Sequence, residues 1–149
     1  MRRLERHQRL PGSPAEVFPF FADALNLERI TPPWLGFRVL APGPIEMGPG
    51  TLIEYRLRLR GVPVRWLTRI EVWEPPHRFV DLQQRGPYRA WRHEHAFDAL
   101  DGATLVRDRV DYELPLGALG GAAHALFVRR ELGRIFDYRA ASLAAHFTK

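Results

Sequence analysis

Between residues 37 and 114, apolar side chains recur at every second position, the period of strands that bury one face. In 51–60, Ile53, Tyr55, Leu57 and Leu59 alternate with Glu54, Arg56, Arg58 and Arg60, so the first set should point inward. The pattern predicts strands near 37–41, 50–60, 64–74, 78–85, 90–98 and 104–114. They are joined by hairpin-like turns such as Arg60-Gly61-Val62-Pro63, Glu74-Pro75-Pro76-His77 and Leu100-Asp101-Gly102. An earlier strand is expected over Arg3 to Leu10. Pro11 and Gly12 stop it, and Ser13 then caps a helix with Pro14 at its first position and Glu16 completing a capping box. That helix presents Val17, Phe18 and Phe21 on one face, and a second short helix runs from Ala24 to Ile30, ended by Pro32-Pro33.

After Pro115-Leu116-Gly117 the period changes to that of a helix for roughly thirty residues. Ala125, Val128, Leu132, Ile135, Phe136, Leu143 and Phe147 form its apolar stripe. The order is one strand, two short helices, six strands and one long helix. This predicts an α+β chain: a seven-stranded curved antiparallel sheet that buries one face under the long C-terminal helix. A strongly bent sheet leaves space beneath that helix.

Several polar residues fall on the inward phase. Thr68, Ile70 and Val72 are assigned inward from one strand, and Val106, Asp108, Val110 and Tyr112 from the last. Trp91, His93, His95 and Phe97 share a face, as do Phe79, Asp81 and Gln83. Arg139 lies at helical spacing between Ile135, Phe136 and Leu143, inside the apolar stripe. Burying an unpaired guanidinium costs several kcal/mol, so Asp108 or Asp81 is its expected counter-ion, with His93, His95, Gln83 and Tyr112 completing the hydrogen bonds. The pair either ties helix to sheet or anchors a ligand.

At 149 residues the chain suits one domain, 1–149, able to bury a core without a metal or disulfide. It has no cysteine, which excludes thiol chemistry and is compatible with a cytoplasmic location. No apolar stretch approaches the length of a membrane span, so no membrane-spanning segment is expected. The net charge of +5 is almost all arginine, because Lys149 is the only lysine. Arg56, Arg58, Arg60, Arg65 and Arg69, with Trp73 assigned to the same outer phase, raise nucleic-acid contact as an alternative. Glu54, Glu71, Glu94, Asp111 and Glu113 share that face and offset the field, so a solvated sheet surface is expected and no nucleic-acid partner. Any homodimer is expected to be weak.

Four segments carry a resemblance to a known family: LPGSPAEVFPFFADALNLERITPPWLGF (Leu10–Phe37), GPYRAWRHEHAF (Gly86–Phe97), TLVRDRVDYELP (Thr104–Pro115) and IFDYR (Ile135–Arg139). The chain resembles the Bet v 1-like, or START-like, superfamily of SRPBCC proteins, particularly its small bacterial members, over essentially its whole length. The resemblance implies the helix-grip fold. The superfamily includes lipid and hormone carriers and polyketide cyclases, and related domains occur joined to nucleotide-sugar epimerase-like proteins. Combined with apolar walls and the inward group of His93, His95, Asp108 and Arg139, the expected function is binding of a hydrophobic or aromatic small molecule, lipid-like or polyketide-like, by a non-catalytic carrier or sensor. The alternative is a cyclase, dehydratase or hydrolase working by general acid–base catalysis in the same pocket, with His93, His95, Asp108 or Tyr112 as candidates.

The expected ligand-facing set is Trp34, Tyr55, Phe79, Asp81, Gln83, Trp91, His93, His95, Phe97, Asp108, Tyr112, Phe136 and Arg139, with Trp34 at the mouth. His93 and His95, at i and i+2 with Asp108 or Asp81, could ligate a metal. Hydrogen-bonded pocket histidines are the expected state, and no metal or other cofactor is expected. His93-Glu94-His95 is not the helical HExxH motif, since Phe97 stands where its second histidine would be.

Overall fold

The computed structural model describes residues 1–40, 45–115 and 121–148. Seven strands form one antiparallel sheet: β1 Arg2–Pro11, β2 Arg38–Val39, β3 Leu52–Leu59, β4 Val62–Glu74, β5 Arg78–Arg85, β6 Ala90–Leu100 and β7 Ala103–Glu113. Their spatial order is β1-β7-β6-β5-β4-β3-β2, so β2 to β7 is a meander and β1 returns along its last strand. Helices α1 (Pro14–Ala22) and α2 (Leu27–Ile30) follow β1, and α3 (Gly121–Phe147) closes the chain. The expected helix-grip architecture is what forms.

The local reasons match the sequence signals. Ser13 donates its backbone N–H to Glu16 Oε1 at 3.0 Å, and Pro14 begins α1. The expected second helix is divided: a 3-10 turn over Ala24–Asn26 precedes α2, with the Asp23 side chain accepting from the Leu25 N–H. A further 3-10 turn, Pro33–Leu35, ends at Gly36 with φ 54, a left-handed conformation that glycine adopts without steric cost. The strand expected over 37–41 shortens to two residues, and position 41 lies outside the described residues, as do Leu116 and Gly117 of the turn expected after β7.

One expectation about side-chain direction fails. Ile70 pairs with Asp81 and Val72 with Val80, leaving Glu71 unopposed as a β-bulge. The phase of β4 therefore shifts by one residue beyond it. Val72 leaves the inner face and Trp73, assigned outward from strict alternation, turns in opposite Phe79, its ring 5.3 Å from Phe18. Without Trp73 the outer face is a lattice of ions, with Arg65–Glu54 at 3.4 Å, Arg92–Glu71 at 3.4 Å and Arg109–Glu94 at 3.3 Å.

Helix α3 buries Ala125, Val128, Leu132, Phe136, Arg139 and Leu143, while Ile135 and Phe147 are half-buried. It is held at the β1 side of the sheet by Gln8 Nε2 donating to Ala140 O at 2.7 Å and by Arg6–Asp137 at 2.7 Å. Phe18, Phe21, Phe79, Phe97, Val106 and Leu143 fill the concave face at one end. The opposite end, toward β3, is not filled. Among the described residues no helix is long and apolar enough to cross a membrane.

Candidate ligand pocket

Alternation along β6 sends Trp91, His93 and His95 to the concave face, and the ladder sets Asp81 of β5 opposite His93 and Asp108 of β7 opposite His95. The hydrogen bonds nevertheless run diagonally. His93 Nε2 meets Asp108 Oδ1 at 2.8 Å, and His95 Nε2 meets Asp81 Oδ2 at 2.7 Å. The two imidazoles stack with centroids 3.6 Å apart, and Phe79 stacks on the far side of His95 at 4.0 Å. From α3, Arg139 brings Nη2 to 3.6 Å from Asp108 Oδ1 and 3.4 Å from His95 Nδ1, with Phe21 and Phe136 against its guanidinium. Asp108 and Arg139 keep only 8% and 9% of their surface exposed, so the expected helix-to-sheet charge pair is a buried one.

The electrostatics follow from burial and pairing. Burial, and then His93, push the His95 imidazole down to about 4 against the opposing pull of Asp81 and Asp108. His95 is therefore neutral near pH 7. Since its Nε2–H donates to Asp81, its Nδ1 is the acceptor that faces Arg139. For Asp108, burial acts upward, but the Arg139 charge and the His93 hydrogen bond prevail and hold the carboxyl far below its usual range. Asp81 is lowered in the same way, burial being outweighed by its hydrogen bond to His95 and the nearby positive charge. Two ionised carboxylates thus face one guanidinium, an environment that favours hydrogen-bond donors over acceptors. Burial, together with Asp81, pushes the Tyr55 phenol well above its usual value, so it stays protonated beside Thr68.

This group forms one end of a cavity of about 160 Å³. Its walls are Tyr55, Leu57 and Leu59 of β3, Trp66 and Thr68 of β4, Tyr88 and Trp91, and Leu132, Ile135 and Phe136 of α3. Leu27, Ile30, Thr31, Leu35 and Phe37, from α2 and the segment after it, close the remaining side. Trp66 meets Trp91 edge-on at 5.1 Å and Tyr88 at 5.7 Å, giving the cavity a rigid aromatic wall.

A family model described as polyketide cyclase / dehydrase and lipid transport matches residues 1–148. The chain belongs to that family. Its SRPBCC fold recurs in solved structures. The ZhuI aromatase/cyclase from Streptomyces sp. R1128 superposes with a TM-score of 0.78 at 17% identity, covering 97% of this chain and 92% of that one. A START superfamily protein from Mycobacterium smegmatis gives 0.72 at 14% identity, with 97% and 96% coverage. The nucleoside-diphosphate sugar epimerase from Corynebacterium glutamicum gives 0.63 at 22% identity; 95% of this chain matches 28% of that longer one. No curated protein matches the chain in sequence.

Within this SRPBCC cavity, seven of the expected ligand-facing residues come together: Tyr55, Asp81, Trp91, His93, His95, Phe136 and Arg139. The others stand elsewhere. Phe79 lines a small void of about 30 Å³ behind His95. Phe97 is 1% exposed inside the apolar core, and Tyr112 packs behind Trp91 and Tyr88. Gln83 is spent on the turn after β5, donating to Tyr88 O at 2.7 Å and accepting from Tyr88 N–H at 3.0 Å. Neither Gln83 nor Tyr112 joins the Arg139 hydrogen bonds expected of them. Asp108 sits behind the histidines and faces a cleft on the β1 side with Arg6, His7 and Gln8. Trp34 lies outside the cavity, in an adjoining cleft.

Sequence reasoning left Tyr88 and Glu131 out of the set. Tyr88 follows Gly86-Pro87, a turn whose direction no periodicity predicts. Glu131 was findable, because it lies three residues after Val128 and four before Ile135, at the spacing that singled out Arg139. Asp81, His93 and His95 bring potential metal-ligand atoms within 4.8 Å of one another, and two imidazoles with a carboxylate are a known donor set. Here each imidazole Nε2 is already engaged by a carboxylate, and the Arg139 charge beside His95 opposes a cation.

Proposed function

We propose that this chain binds, without transforming it, a compact planar apolar molecule carrying a hydroxyl-type hydrogen-bond donor. One observation carries the reading: a cavity walled by Trp66, Tyr88, Trp91 and Phe136 ends on the Asp81 carboxylate and His93, polar groups held in place by their own buried partners. The volume of about 160 Å³ favours one or two rings over a long-chain lipid. An engineered apolar cavity of about 150 Å³ holds benzene. The excess of carboxylate over guanidinium favours a ligand that donates at this end.

A second reading, acid–base catalysis on the same ligand, has its own support. Asp81 accepts from a neutral His95 at the cavity end, a carboxylate–imidazole arrangement able to relay a proton. The family description also includes cyclases and dehydrases. The binding reading is preferred because Arg139 occupies the acceptor nitrogen of His95, leaving that ring no free site for a substrate proton.

Tryptophan fluorescence titration with 2-naphthol, combined with native mass spectrometry of the protein from its own host, tests both readings. Quenching by 2-naphthol and a co-purifying molecule of unchanged mass after incubation support binding. A mass change lost in His95→Ala, with affinity retained, moves the assignment to catalysis. No quenching and no captured molecule would sink both.

A further inference from the structure

We propose that a cleft outside the cavity mouth, lined by arginines, is a second subsite that holds an anionic group, phosphate- or sulfonate-like, on the same ligand whose apolar body enters the cavity. The proposal rests on the pocket reading above and extends it. The cleft encloses about 520 Å³ between the β3–β4 turn, the Trp34 segment and the first turns of α3, and it shares Leu35 and Glu131 with the cavity. Strand β2 pairs only with Tyr55 and Arg56, so among the described residues β3 is a free sheet edge from Leu57 onward. Arg58 lies on that free edge and lines the cleft with the arginines of the turn and of α3.

Four arginines line the cleft: Arg58, Arg60, Arg130 and Arg134. Among the described residues none of the four forms a salt bridge, whereas Arg65, Arg78, Arg92, Arg107 and Arg109 of the outer sheet face do. Two are positioned by stacking. The Arg60 guanidinium lies 4.6 Å from the Phe127 ring centroid and that of Arg134 lies 5.2 Å from Trp34. These rings are themselves 44% and 50% exposed, so each stacked guanidinium is held at the cleft surface rather than in the core. A stacked guanidinium keeps its N–H edge free, the edge that pairs with phosphate or sulfonate oxygens. Glu131 is the one acidic side chain in the lining, so positive charge predominates. With Asp81 at the inner end and arginines at the outer end, the pocket has a charge gradient that would orient a ligand with a donor at one tip and an anion at the other.

Two fluorescent two-ring probes share one apolar skeleton and differ in a sulfonate: 6-hydroxynaphthalene-2-sulfonate and the uncharged 2-naphthol. The wild-type chain should bind the sulfonate about tenfold more tightly than the neutral probe at low salt, with the advantage fading at high salt. Arg60→Asn with Arg134→Gln should abolish most of that preference while sparing the neutral probe; asparagine tolerates the positive φ of 53 at position 60. Glu131→Gln should act in the opposite sense and strengthen sulfonate binding. Equal affinities in the wild type, or a sulfonate preference that survives the double substitution, would overturn the subsite. Failure of the neutral probe to bind at all would instead overturn the pocket reading. Sedimentation with phosphatidylglycerol vesicles distinguishes the source of the anion: no sedimentation supports a soluble ligand, whereas salt-sensitive sedimentation lost in the double variant supports a lipid headgroup.

Discussion

The imidazoles of His93 and His95 lie face to face, 3.6 Å apart and tilted by 24°, yet each is hydrogen-bonded to a different carboxylate on a different strand. Both are packed into the same buried layer, where a second positive charge is costly. His95, between Phe79 and His93, resists protonation for that reason.

The first consequence is a pH dependence of stability. His95 has an ordinary value of 6.5 and is lowered to about 4 in the folded chain, so between these values the unfolded chain binds the extra proton. Stability should therefore be fully present above about pH 6.5 and fall as pH drops toward 4, by on the order of 3 kcal/mol from this group. The lowered Asp81 and Asp108 carboxyls add a further loss below the usual carboxylate range, as they become protonated on unfolding. Urea denaturation from pH 7 to pH 4 would measure the first part. His95→Gln should flatten that segment of the curve, and an unchanged slope would remove His95 as its source.

Arg139 and Asp108 should behave as a coupled pair. Removing one partner leaves the other buried and charged, so Arg139→Met or Asp108→Asn is expected to cost about 3 kcal/mol each. The double variant should cost clearly less than the two combined. Denaturant midpoints of the four proteins give the coupling directly, and simple additivity would show that the 3.6 Å approach contributes nothing of its own.

At the cavity end, Asp81→Asn keeps the shape and removes the charge. Affinity for 2-naphthol should fall about tenfold, while 2-methylnaphthalene, which has no hydroxyl, should be nearly indifferent. Calorimetric titration of both ligands against both proteins checks this. An equal loss for the two would mean that the substitution disturbs the walls rather than a hydrogen bond.

Trp73 and Val72 offer a test of the bulge. Trp73→Ala should destabilise by about 3–5 kcal/mol as a core truncation. Val72→Ala, on the other phase, should cost about 1 kcal/mol or less. The reverse ranking in urea would restore strict alternation along β4.

The architecture was legible because strand and helix periods are written in side chains that face a single core. The buried charge on α3 was legible for the same reason, since Arg139 interrupts a stripe that is otherwise apolar. Phase, however, does not tell depth. Phe97 and Tyr112 share faces with His95 and Asp108, but the first lies under the packed aromatic end and the second behind Trp91, so neither reaches the cavity. Gln83 was lost to a turn that needed its amide. Trp73 was misassigned because a bulge leaves no local mark: Glu71 looks like any outward residue until its neighbours on β5 are known. The cleft at Trp34 depends on residues from three distant segments, and no single window of sequence contains it.

The Glu71 bulge also has a consequence for engineering. One extra residue in β4 lets the same strand give Trp73 to a solid half of the molecule and Trp66 and Thr68 to a hollow half. The two halves can then be altered separately: substitutions around Phe18, Trp73 and Phe97 should tune heat resistance, and those around Trp66 and Trp91 should change which molecule is accepted.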